Sequence, residues 1–127
     1  MNCKERITKE LNDRIKDLET LFSLYKYGED ASDPDLGRFE EYGLCFDYVE
    51  QNPPETPQAY FRYQLSWGGP ADEFRFFVNP DLTPYSIEYW FYDWGDSAKI
   101  ELTGKRWKLL EDIFEHFKGL GLVEITD

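Results

Sequence analysis

Between Tyr60 and Trp94 the chain changes side-chain type at every second residue, in three successive runs. Tyr60–Trp67 sets Phe61, Tyr63, Leu65 and Trp67 against Tyr60, Arg62, Gln64 and Ser66. Phe74–Val78 sets Phe74, Phe76 and Val78 against Arg75 and Phe77. Ser86–Trp94 sets Ile87, Tyr89 and Phe91 against Glu88, Trp90, Tyr92 and Trp94. A period of two with aromatic and β-branched enrichment is the signature of strands that bury one face. Gly43–Gln51 and Ala98–Thr103 read as further strands, the latter with Ile100 and Leu102 on one side. The connections between these runs are too short for crossover helices, so an antiparallel meander is expected.

Helical periodicity brackets the strands. From Arg6 to Tyr25, Ile7, Leu11, Ile15, Leu18, Leu21, Phe22 and Tyr25 recur at three- and four-residue steps, with Gly28 as the expected C-cap. A second helix is expected over Gly104–Phe117, capped by Thr103 and ended by Gly119, with Trp107, Leu110, Phe114 and Phe117 in its stripe. The expected architecture is α+β. An antiparallel sheet of four or five strands carries the N- and C-terminal helices on one face, in a single domain over residues 1–127. A chain of 127 residues can bury a core without metal or disulfide staples. The sheet's second face also carries large aromatics. Either it stays open as a patch rimmed by Glu88, Asp93 and Asp96, or the Gly28–Pro57 segment folds over part of it, which is the commoner solution.

The formal charge is −12, and its distribution is uneven. Met1–Lys26 and Gly104–Asp127 are nearly balanced, whereas Tyr27–Thr103 holds sixteen acids against four basic residues. Phosphate repulsion argues against direct binding of DNA or RNA. No run approaches a transmembrane span, and Met1–Arg6 lacks the apolar centre of a signal peptide. Cys3 and Cys45 have no metal-type spacing, which suits a reduced, cytoplasmic protein, and Cys45 is expected to be packed between Leu44 and Phe46. No cofactor or metal is expected. Asp33-Pro-Asp35-Leu-Gly37 departs from the spacing of a calcium loop, and His116 has no second histidine with which to build a catalytic or zinc constellation. No residue set identifies an enzyme. Were there one, Asp72, Glu73 or His116 would be its centre.

Trp67–Phe74, "WGGPADEF", joins two alternating runs and reads as a hairpin connection. Its glycines lead into a strand and its Asp72-Glu73 would repel an anion, so it is no phosphate cradle. Those two carboxylates are expected to face outward. An acidic chain is suited to occupy a basic groove built for nucleic acid. The acids expected to line that contact, around the loops of the sheet, are Asp72, Glu73, Asp81, Glu88, Asp93 and Asp96. Trp67, Trp90 and Tyr92 are its expected aromatic anchors.

Two segments, "YFRYQLSWGGPADEFRFFV" and "YSIEYWFYDW", resemble small acidic proteins of plasmids, phages and other mobile elements, of the anti-CRISPR and anti-restriction kind. The resemblance spans Tyr60 to about Trp94 and supplies no catalytic residue. It implies an inhibitor that binds a basic, nucleic-acid-handling defence effector and blocks access of DNA or RNA. The alternative on the same physics is an immunity protein that neutralises a nuclease toxin.

Overall fold

The computed structural model describes residues 2–28 and 30–125. Helix α1 (Cys3–Tyr27) starts three residues before the expected Arg6, because the Asn2 side chain accepts the Glu5 N–H at 2.9 Å and caps it. Its buried stripe is Cys3, Ile7, Leu11, Ile15, Leu18, Leu21 and Phe22. Gly28 does end the helix, but with extended backbone whose N–H reaches the Leu24 carbonyl. Glu29, the first residue of the acidic loop, lies outside the described residues. In that loop Asp33 accepts from the backbone N–H groups of Asp35 and Leu36, forming a local Asx turn closed at Gly37.

Five strands follow: β1 (Cys45–Val49), β2 (Tyr60–Ser66), β3 (Ala71–Val78), β4 (Pro84–Asp93) and β5 (Asp96–Glu101). They form one sheet in sequential order, every neighbouring pair antiparallel, as the short connections demand. Helix α3 (Gly104–Gly119) closes the chain. Thr103 occupies its N-cap position without a side-chain cap bond, and Gly119 is its last residue; the left-handed glycine is Gly121, at φ 80°. Both terminal helices pack on one face of the sheet. Phe114 of α3 sits with its ring 4.9 Å from Phe76, 5.8 Å from Phe61 and 6.0 Å from Phe46. These edge and offset aromatic contacts tie the C-terminal helix to β1, β2 and β3. Helix α1 lies over β4 and β5 and is held there by polar anchors described below.

A one-turn helix, α2 (Phe39–Tyr42), supplies an element without a periodic signal. Its buried Phe39 ring lies 5.1 Å from Phe22 and 6.2 Å from Phe117, filling the gap between α1 and α3. This part of the Gly28–Pro57 segment therefore joins the helical layer. Only its end reaches the opposite face, where Glu55 to Gln58 wall a small cavity against Tyr60, Phe77 and Trp90. Gly43, between α2 and β1, admits no side chain, since a Cβ there would stand 2.2 Å from the Tyr63 ring.

Cys45 is exposed, contrary to the expectation of a packed thiol, and Leu44 is exposed beside it. β1 is an edge strand, and the residues that reach the core from it are Phe46 and Tyr48. The buried cysteine is Cys3, whose thiol is pushed above its ordinary pKa by burial and by the charge of Asp96.

Candidate functional site

Each of the six acids expected to face a partner is hydrogen-bonded within the molecule, while Asp81 and Asp96 stay exposed. Asp72 and Glu73 lie inside β3, not in the preceding turn, and are 3% and 6% exposed. The strand begins at Ala71 because Asp72 pairs with Phe91 on one side and, across a bulge, with Ser66 on the other. Asp72 points to the helical layer. It receives Arg14 in bidentate fashion at 2.7 and 2.9 Å, the Tyr89 hydroxyl at 2.6 Å, and the Ser66 hydroxyl. Arg14 continues to the Tyr42 hydroxyl at 2.8 Å, and Tyr42 donates to Asp17 at 2.6 Å. Burial works against the charge on Arg14, but the Asp72 hydrogen bonds outweigh it and hold the guanidinium more firmly protonated than usual.

Asp93 and Asp96, the residues closing the β4–β5 turn, anchor the start of α1. Asp93 pairs with Arg6, and Asp96 accepts the Cys3 backbone N–H at 2.9 Å, at the positive end of the helix dipole. Glu88 accepts from the Trp90 indole at 2.9 Å and pairs with Lys99 at 3.3 Å. Asp81 is exposed but caps its own turn, accepting from the Thr83 N–H at 3.2 Å and the Thr83 hydroxyl at 2.6 Å.

The other face of the sheet is an aromatic surface with a cation at its centre. Arg75 lies 3.8 Å from the Trp90 ring and 4.5 Å from that of Tyr60, and it also donates to the Tyr92 hydroxyl. Its charge is matched by Glu73 at 2.9 Å on the same strand. Arg62 on β2 is matched in turn by Asp47 at 2.6 and 3.0 Å. Burial, followed by the Glu73 charge, pushes the Tyr92 hydroxyl up to about 12, so it is protonated at neutral pH. Trp90 and Tyr92 are thus partly enclosed, with their rings 5.9 Å apart and stacked.

The exposed aromatic surface stands at one end of this face. The β2–β3 and β4–β5 turns lie side by side and carry Trp67, 78% exposed, and Trp94, 94% exposed. Both tryptophans line a groove of about 540 Å³ whose floor includes Tyr60, Arg75 and Tyr92. Trp94 does not belong to β4, as its alternation suggested. Asp93 and Asp96 close a two-residue turn in which Trp94 has φ 50° and Gly95 φ 75°. That backbone is the type I′ hairpin turn, which favours Asn-Gly. Holding a bulky residue in the left-handed region costs on the order of 1 kcal/mol. Leu82, the other non-glycine residue at positive φ, at least packs against the core. Trp94 recovers nothing of that kind.

Negative charge with few counter-charges collects elsewhere. Residues 30–55 contain eight acids and one arginine, and Asp30, Asp35, Glu40, Glu41, Glu50 and Glu55 are exposed. These acids belong to the acidic middle segment of the sequence, but they lie outside the sheet loops on which the contact is expected. The signal for Trp94 was present in Asp93-Trp94-Gly95-Asp96, a residue–Gly pair between two strand runs. Arg62 and Arg75 left no comparable trace, because cross-strand pairing defines their surroundings. Among the described residues no group of three or more His, Cys, Asp or Glu side chains is placed to hold a metal ion, and no helix is long and apolar enough to cross a membrane. No protein-family model, curated protein or solved structure matches the chain.

Proposed function

We propose that this protein is an anti-CRISPR-like inhibitor. It binds a basic, nucleic-acid-handling surface of a Cas effector or surveillance complex and blocks access of DNA or RNA. The observation that carries the reading is the exposed acidity of residues 30–55, where Arg38 meets Glu40 and Glu41, Arg62 meets Asp47, and Asp30, Asp35, Glu50 and Glu55 have no ion pair among the described residues. A charge array of this kind accelerates association with a basic groove and competes with phosphate for its arginines and lysines. The paired charges of the sheet face, by contrast, give phosphate no unmatched cation to bind. A nuclease toxin offers the same kind of basic groove and is the alternative target.

The test is competition. Purified CRISPR effectors and nuclease toxins are titrated with the protein in the presence of labelled nucleic acid, at several salt concentrations. The expected result is displacement of nucleic acid by a complex that weakens as salt rises. Neutralising Asp30, Asp35, Glu50 and Glu55 to their amides is expected to slow association at least tenfold. A complex insensitive to salt and to this variant, or one that leaves nucleic acid bound, overturns the reading. Displacement from nucleases alone moves the assignment to the immunity protein.

A further inference from the structure

We propose that the groove between the β2–β3 and β4–β5 turns is a seat for an arginine side chain of the partner protein, held between the indoles of Trp67 and Trp94. The inference rests on the reading of the protein as a binder of basic surfaces and names the place where that surface is gripped.

Three features of the groove converge on a cation. First, the exposed Trp67 and Trp94 both line one cavity, and indole is the best aromatic partner for a guanidinium. Second, Asp93 in its wall is only half used. One carboxylate oxygen takes Arg6, while Oδ1, shielded from water, has no hydrogen-bond donor among the described residues. A buried acceptor in that condition is rare, and its negative potential is poorly screened by solvent. The β2–β3 turn passes close to it, since a Cβ built on Gly69 would lie 4.0 Å from Oδ1. Third, the cations already in the groove are spoken for: Arg62 by Asp47 and Arg75 by Glu73. The unmatched charge there is that of Asp96, which accepts the Cys3 backbone N–H but pairs with no cation among the described residues.

The same combination is complete elsewhere in the molecule. Arg14 pairs with Asp72 while lying 5.4 Å from the Tyr42 ring. Arg75 pairs with Glu73 and stacks on Trp90. At the groove, the Asp96 carboxylate and the two exposed indoles are present and the guanidinium is the part to be supplied. A volume of about 540 Å³ leaves room for the side chain and its flanking backbone. The left-handed backbone of Trp94 supports the same conclusion. A turn that gives up Asn for an exposed tryptophan is better suited to contact than to stability.

The experiment is a titration of the ¹⁵N-labelled protein with tetra-arginine, tetra-lysine and tetra-glutamate peptides, following the indole N–H signals. Trp94→Asn serves as the main variant, because it suits the turn and is expected to unfold at a higher temperature than the parent. Trp67→Ala serves as the second. The expected result is a shift of the Trp67 and Trp94 indoles with tetra-arginine, smaller with tetra-lysine and absent with tetra-glutamate. The affinity should fall at least fivefold in Trp94→Asn. Shifts confined to residues 30–55, or arginine binding unchanged in both variants, overturn the proposal. The two readings fail separately. A target that binds Trp94→Asn as tightly as the parent removes the arginine seat and leaves the acidic inhibitor standing. Arginine binding at the indoles, without displacement of nucleic acid from any effector, does the reverse.

Discussion

Asp72 shows how far the role of a residue depends on its surroundings. In the sequence it stands beside Glu73 after Gly68-Gly69-Pro70, a position that reads as an exposed turn. In the fold it is the most enclosed carboxylate among the described residues and the point where α1, β2, β3 and β4 meet. Its pair with Arg14 joins a buried carboxylate to a mostly buried guanidinium, so removing one partner leaves the other uncompensated. Arg14→Met is expected to cost about 3–5 kcal/mol of unfolding free energy, measured by urea denaturation. A loss below about 1 kcal/mol would mean that the pair behaves as an ordinary surface ion pair. The hydroxyl of Tyr89 is tied to the same carboxylate; burial and the negative charge of Asp72 hold it protonated well beyond its usual range.

At the scale of elements, α1 is attached to the sheet by two kinds of force. Its apolar stripe supplies the burial and was readable from spacing alone. Its direction over β4 and β5 is set by Cys3 on Asp96, Arg6 on Asp93 and Arg14 on Asp72. The Asp96 carboxyl is held below the usual aspartate range, first of all by the hydrogen bond from the Cys3 backbone. A depressed folded-state pKa contributes stability that is present above the ordinary carboxylate value and lost as pH falls through the folded one. Thermal melts between neutral and acid pH should therefore show the parent losing more stability than Asp96→Asn, with the variant less stable at neutral pH. Parallel pH profiles for the two proteins would show that this contact contributes nothing. The least legible element was α2, since four residues are too few to show a helical period.

The whole molecule carries a net charge of −12, which opposes compaction. Ten ion pairs offset part of it within the described residues, yet the acids of residues 30–55 crowd one region with a single arginine. Shortening the Debye length from about 30 Å to about 10 Å, by raising salt from about 0.01 to about 0.1 M, is expected to raise the melting temperature. A fall would mean that the ion pairs outweigh the repulsion. The five-stranded meander, its two covering helices and the face each strand buries follow from the sequence itself, because the periods of two and 3.6 are local properties of the backbone. The total charge is likewise legible by counting. What only the tertiary structure decided is which charges are free and which aromatics are exposed. Asp72, Glu73, Asp93 and Asp96 were drawn inward or onto α1 by cations far away in sequence, and Trp90 and Tyr92 were half enclosed by Arg75. Trp67 and Trp94 were left together at one end of the sheet by the antiparallel order of its turns. Pairing across the fold follows three-dimensional distance, which a linear pattern does not contain.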